Sequence, residues 1–125
     1  MKLLLDTHAV LWWLDDPLLL SLTARQAIAE PGNDVLVSAA VCWEIAIKRG
    51  LGKLTAPADL RGALQCCGFT ELDITSAHAL ATETLPMHHR DPFDRMLVAQ
   101  ALIEGATLVS RDPFVAAYGL PTITA

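Results

Sequence analysis

The chain has 125 residues, 53% of them hydrophobic, and a net charge of −5. This length suits one domain with a single core, so we expect one domain over residues 1–125, and no apolar run approaches the roughly 18 residues that a bilayer span requires. The acidic balance argues against broad, sequence-independent nucleic-acid binding, and Asp6 interrupts the apolar start too early for a secretory signal, so we expect a cytoplasmic protein.

Apolar runs and turn residues alternate along the chain as they do in proteins built from alternating strands and helices. Leu3–Leu5 is the continuous apolar type of strand that parallel sheets bury on both faces. The first half of the chain is predicted to contain a strand Leu3–Leu5, helices Val10–Leu14 and Ser21–Glu30, a strand Val35–Val37, and a helix that Ser38 caps and that Gly50 and Gly52 end. A helix Pro57–Cys67, a strand Thr70–Ile74, a helix Ala77–Leu85 and a loop Met87–Arg90 are predicted to follow. The last part is predicted to contain a helix Asp91–Gly105, a strand Thr107–Val109, a short helix from Asp112 and an edge strand Leu120–Thr124. This alternation predicts an α/β fold, a three-layer α/β/α sandwich around a mainly parallel central sheet.

Four carboxylates lie where predicted strands run into helices: Asp6, Glu44, Asp94 and Asp112. Because sites in parallel sheets form outside the carboxyl ends of the strands, we expect these four side chains to meet in one crevice. Carboxylates crowded in this way raise one another's pKa, and such a cluster usually holds divalent cations. The pattern therefore indicates a metal-dependent enzyme that acts on phosphates.

Each of these acids also has a purely structural interpretation. Asp6 could simply cap the following helix. Glu44 could pair with Lys48 four residues on, a surface pair worth about 0.3–0.5 kcal/mol. Residues 39–47 are otherwise apolar, which favours a Glu44 side chain turned into a pocket.

The DPFD stretch fits the start of a helix, with Asp91 at the N-cap and Asp94 at position N3. The capping interpretation is strong for Asp91. It is weaker for Asp94, because the helix that follows, Met96–Ile103, is apolar nearly all round. Asp112 also fits an N-cap before Pro113, and spacing alone does not distinguish a cap from a metal ligand.

The remaining reactive and aromatic side chains give weaker signals. His8 could contact a substrate, whereas His88 and His89 lack a zinc-ligand spacing and are expected in a solvated loop. We expect reduced, buried cysteines and tryptophans that act as core or interface anchors; these residues are Cys42, Cys66, Cys67, Trp12, Trp13 and Trp43.

The chain resembles the PIN-domain family, and within it the VapC-type ribonuclease toxins of bacterial toxin–antitoxin pairs. The stretches that carry the resemblance are LLLDTHAVLWWL, VSAAVCWEIAIKRGLGKL, HHRDPFDRMLVAQA and ATLVSRDP, which together reach along the whole chain. The resemblance implies a PIN-like fold and assigns the acidic ligands, which are also the catalytic residues, to Asp6, Glu44, Asp94 and Asp112. It places supporting residues at Thr7, Asp91 and Ser110.

The resemblance further implies an endoribonuclease that hydrolyses RNA phosphodiester bonds with a water activated by acid-bound Mg²⁺ or Mn²⁺. Such a protein is silenced by a cognate antitoxin protein. The apolar surplus and the family together predict a homodimer, with an apolar antitoxin segment in a groove near the site. Bound metal, together with local cations such as Lys48 and Arg111, would neutralise acidic charge that otherwise repels RNA.

Several other functions remain open at this point. A phosphorylation-receiver module would want adjacent acids after the first strand, whereas Thr7 follows a single Asp6. A phosphatase with Asp6 as nucleophile would want a second aspartate where His8 stands, and a nucleotide-cofactor enzyme would want a glycine-rich phosphate loop. Another PIN nuclease, active in RNA processing or on DNA flaps, is the nearest alternative, although the compact length favours the toxin.

Overall fold

The computed structural model describes residues 1–125, which form five strands and six α-helices. The strands are β1 (Lys2–Leu5), β2 (Asp34–Ser38), β3 (Thr70–Leu72), β4 (Thr107–Ser110) and β5 (Thr122–Thr124). The α-helices are α1 (Thr7–Asp15), α2 (Leu22–Ala29), α3 (Ala39–Gly50), α4 (Leu60–Cys66), α5 (Ser76–Ala81) and α6 (Pro92–Glu104), and 3-10 helices cover Pro17–Leu19, Thr82–Thr84 and Pro113–Tyr118.

The five strands form one parallel sheet in the order β3-β2-β1-β4-β5. Helices cover both faces of the sheet, which confirms the predicted three-layer α/β/α sandwich. The central strand β1 is the most enclosed, since its residues Leu3–Leu5 have no exposed surface. This burial on both faces explains why the strand is a continuous apolar run rather than an alternating one.

The order of the strands fixes the position of a crevice. The chain moves from β1 to β2 and β3 on one side, then crosses to β4 and β5 on the other side of β1. Leu5 of β1 lies beside Val109 of β4, and the Asp6 N–H donates to the Val109 carbonyl at 3.0 Å. The direction of winding therefore reverses between β1 and β4, and such a reversal opens a cleft at the carboxyl ends of the strands.

The predicted start and end of α6 are confirmed. The Asp91 carboxylate accepts hydrogen bonds from the backbone N–H groups of Phe93 and Asp94, at 2.8 and 3.2 Å. At the other end, Gly105 takes the left-handed conformation, with φ of 66°, that closes a helix without steric cost. These caps set the register of α6, which places Asp94 in its first turn.

Some predicted boundaries are wrong. Pro57 does not open a helix; α4 starts at Leu60, because the Asp59 side chain caps it by accepting from the Gly62 N–H at 3.1 Å. β3 stops at Leu72 rather than Ile74, and the helix predicted to run to Leu85 leaves α-helical geometry at the 3-10 turn Thr82–Thr84.

The cysteines also differ from expectation, and Trp43 is compatible only with the second of its two predicted roles, an interface anchor. Cys66 and Cys67 are exposed rather than buried, since they lie where α4 ends and the chain turns at the surface, and Cys42 is half-buried. Trp43 is 61% exposed and so belongs to the surface rather than to the core. No helix has the length and apolar character needed to cross a membrane.

Candidate metal centre

A cavity of about 190 Å³ lies at the crevice, and none of the nine side chains that line it is hydrophobic. Five of these side chains are carboxylates, which face two permanently charged basic groups, Lys48 and Arg111, and the imidazole of His8. Three larger clefts lie elsewhere and are lined partly by apolar side chains. The cavity therefore brings together all four predicted acids; its lining residues are Asp6, Thr7, His8, Glu44, Lys48, Asp91, Asp94, Arg111 and Asp112.

Asp6 is buried at the end of β1, where its two carboxylate oxygens have different partners. Oδ1 accepts from the Ala9 N–H at 2.8 Å and so caps α1. Oδ2 accepts from the Ser110 hydroxyl at 2.8 Å and from the Arg111 N–H at 3.2 Å. Burial raises the pKa of Asp6, while these hydrogen bonds act to lower it. Capping and membership of the acid cluster, weighed above as alternatives, are both present.

Glu44 is buried on α3 and also combines its two interpretations. Its Oε1 accepts from the Thr7 hydroxyl at 2.5 Å, and its Oε2 accepts from the Lys48 ammonium at 2.7 Å. The hydrogen bond to Glu44 raises the pKa of Lys48. The ion pair is therefore part of the cavity wall, where it places a cation beside the acids.

Asp94 is the acid with the least local compensation. Neither of its carboxylate oxygens accepts a hydrogen bond from the protein, and its one ion-pair contact is with the His89 ring, whose Nε2 lies 3.2 Å from Oδ2. Burial, followed by the negative charge of Asp91, raises the pKa of Asp94 to about 7, and Asp6 and Asp112 add to this shift. A carboxylate that the fold itself does not neutralise is well suited to a bound cation.

Asp112 caps the 3-10 helix Pro113–Tyr118, as the sequence predicts. Its Oδ1 accepts from the Phe114 N–H at 2.9 Å, and its own N–H donates to the Ser110 hydroxyl at 3.0 Å. Ser110 therefore accepts from Asp112 while it donates to Asp6, and it links the ends of β4 and β1. The hydroxyl position named from the resemblance is in contact with the acids.

The prediction of a solvated loop is wrong for His89. The Nε2 atom lies 3.2 Å from Asp94 Oδ2 and forms a hydrogen bond with Asp112 Oδ2. No spacing in the sequence signals this role, because the ring reaches the acids only when α6 and the 3-10 helix Pro113–Tyr118 have packed together. Its neighbour His88 is exposed and lies edge-on to Tyr118.

Comparison with known proteins identifies the family. The model of the PIN domain matches residues 3–118. The chain is 33% identical over 117 residues to ribonuclease VapC22 of Mycobacterium tuberculosis, an alignment that covers 87% of this chain and 85% of the relative.

Solved structures show the same fold. The crystal structure of VapBC2 from Rickettsia felis, bound to a DNA fragment from its promoter, contains a chain similar to this one with a TM-score of 0.73 and 16% identity, covering 98% of both chains. The crystal structure of FitAcB from Neisseria gonorrhoeae matches with a TM-score of 0.60 and 14% identity, covering 98% of this chain and 96% of the other. The predicted family is confirmed: the chain belongs to the PIN-domain family.

Proposed function

We propose that this protein is a Mg²⁺- or Mn²⁺-dependent endoribonuclease and the toxin of a toxin–antitoxin pair. The observation that carries the proposal is the cavity at the switch point of the sheet, with five carboxylates and no apolar lining. The 33% identity to a VapC ribonuclease supports the activity, and the likeness to the VapBC2 fold agrees with it.

The donor set fits a hard divalent cation. All the acidic donors are carboxylate oxygens, which Mg²⁺ and Mn²⁺ prefer over nitrogen or sulfur. No protein group donates a hydrogen bond to the Oδ1 atom of Asp94. Burial and the neighbouring negative charges disfavour the ionised form of this carboxyl. Asp6, Glu44 and Asp94 would hold the ion directly or through water, and Asp112 would complete the site.

The chain's own residues account for binding and orientation. A bound divalent ion supplies charge neutralisation and activation of water for phosphodiester hydrolysis. Lys48 and Arg111 line the cavity and would attract the phosphate that enters it. Thr7 and Ser110 fix the carboxylates of Glu44 and Asp6 through the hydrogen bonds described above, so that the acids are oriented before substrate binds.

The position of Asp6 argues against the phosphatase alternative. The residue is only 4% exposed, and the position two residues on, where a phosphatase of this type needs a second aspartate, is occupied by His8. The strand order also differs from the order 2-1-3-4-5 of flavodoxin-like folds, to which receiver modules belong.

The test of the proposal is cleavage of total cellular RNA by purified, antitoxin-free protein with Mg²⁺ or Mn²⁺. We expect discrete fragments that disappear with EDTA and with Asp6→Asn or Asp94→Asn. A DNA-flap substrate in a parallel reaction separates the alternatives, since the 2′-hydroxyl distinguishes RNA from DNA. Intact RNA with cleaved flap DNA would favour the other type of PIN nuclease, and intact substrates in every lane would contradict a nuclease.

A homodimer and an antitoxin groove are part of the proposal. A cleft of about 330 Å³ is formed mainly by Leu11, Trp12, Leu14, Ala56 and Pro57, and it suits an apolar segment of an antitoxin.

Large apolar side chains elsewhere are exposed, as expected of a subunit contact; they include Leu18, Trp43, Leu51, Leu102 and Ile103. Light scattering at micromolar concentration should give twice the chain mass of 13.5 kDa, and a monomer would contradict the dimer.

A further inference from the structure

His89 is held firmly although it precedes α6 in a loop. Its backbone N–H donates to the Tyr118 hydroxyl at 3.0 Å, and its carbonyl accepts from the Arg95 guanidinium at 3.3 Å. The ring lies edge-on to Phe114 with 6.0 Å between the ring centroids. The first turn of α6 and the 3-10 helix Pro113–Tyr118 therefore position this imidazole.

The hydrogen bonds define which ring nitrogen carries the proton. The Asp91 backbone N–H donates to Nδ1 of His89 at 2.9 Å, and since an N–H cannot accept, Nδ1 carries no proton. The ring proton is then on Nε2, which faces Asp94 Oδ2 and Asp112 Oδ2. In this tautomer Nε2 has no lone pair to offer, so His89 donates to Asp112, lies 3.2 Å from Asp94 Oδ2, and is not a metal ligand.

The cavity shows on which side of the acids this donor lies. Asp94 and Asp112 line the cavity, whereas His89 does not. The imidazole therefore approaches the two carboxylates from outside the space that a cation would occupy. Asp112 is fixed at both oxygens, one by Phe114 and the other by His89.

We propose that His89 is a positioning residue of the metal centre. Its Nε2–H is bonded to Asp112 and lies against Asp94, which keeps the two acids close together so that the cation site is formed before the ion arrives. The inference rests on the proposed metal-dependent function. The donor offsets part of the repulsion between the two acids, and it orients them as hydrogen-bonded partners orient metal-ligating carboxylates elsewhere.

Two substitutions separate the donor from the rest of the side chain. In His89→Asn the amide oxygen can take the place of Nδ1 and accept from Asp91, but nothing donates to the acids. In His89→Gln the longer amide can place a donor where Nε2 stood. We expect the Asn variant to bind Mn²⁺ about 10- to 100-fold more weakly and the Gln variant to bind within about threefold of the wild type.

Mn²⁺ affinity is measured without RNA from the loss of the free-ion signal in electron paramagnetic resonance, with His88→Ala as the matched control. Circular dichroism confirms folding, and His89→Met replaces the Asn variant if that variant does not fold. Wild-type affinity in the donor-free variant, or equal loss in the Asn and Gln variants, would overturn the role of His89. Failure of the wild-type protein itself to bind Mn²⁺ would instead remove the proposed metal centre.

Discussion

Asp94→Asn is expected to lower RNA cleavage by at least about 100-fold, because removal of a charged metal ligand removes several kcal/mol of stabilisation of the transition state. The amide oxygen can keep the 3.2 Å contact with His89, and Asp91 still caps α6, so the fold remains. Initial rates on an RNA that the wild-type protein cleaves, at saturating Mn²⁺, measure the effect.

The same substitution should stabilise the metal-free protein at pH 8. The pKa of Asp94 is raised from 3.8 to about 7 in the folded state, so between these values the native protein retains a proton that the unfolded chain has lost. The contribution of Asp94 to the free energy of unfolding therefore falls as pH rises through that window. Above the window the whole penalty of ionising this buried carboxyl is present. Because Asn does not titrate, the thermal midpoint of the variant should exceed that of the wild type by a margin that grows from pH 5 to pH 8.

Asp16→Asn is the matched control, since Asp16 is an exposed N-cap beyond the far end of α1 and Asn caps equally well. This variant should keep both activity and stability close to the wild type. A loss of activity together with a loss of stability in Asp94→Asn would show a structural acid rather than a functional one.

Mn²⁺ should stabilise the protein far more at pH 8 than at pH 5.5. At 100 times the dissociation constant, binding adds about 2.7 kcal/mol to the free energy of unfolding. At pH 5.5, about 1.5 units below the pKa of Asp94, a proton must leave before the ion binds, which weakens binding by about 30-fold. The same Mn²⁺ concentration then adds only about 0.8 kcal/mol.

Thermal or urea unfolding with Mn²⁺ and with EDTA at the two pH values provides the comparison. In Asp94→Asn the difference between Mn²⁺ and EDTA should largely disappear at both. Equal stabilisation of the wild-type protein at pH 5.5 and pH 8 would mean that the ion binds without contact to Asp94.

Much of the fold could be predicted because its signals are local. Leu3–Leu5 has the continuous apolar character of a strand buried on both faces, and the run from Asp91 to Gly105 contains both a helix start signal and a helix stop signal. The errors fall where a local signal competes with a neighbouring one. Pro57 is a good first helical residue, but the Asp59 side chain accepts a hydrogen bond from the Gly62 N–H and so caps α4 at a later position.

The four acids could be predicted for a different reason. Asp6 follows β1 directly and Asp112 follows β4 after one residue, so the parallel arrangement of β1 and β4 is enough to bring them together. The dual behaviour of Glu44 could not be predicted, because its pair with Lys48 is a surface feature in sequence but part of the cavity wall in the fold.

The sequence by itself determined the order of the elements, the parallel sheet and the acids that meet at its carboxyl end, since periodicity, caps and strand ends are properties of neighbouring residues. Only the tertiary structure decided the environment of each acid. The raised pKa of Asp94 depends on burial and on charges from three elements, and the contact of His89 with two acids depends on the packing of the segments around it. Electrostatic fields and hydrogen-bond geometry act through space, and no spacing along the chain encodes them.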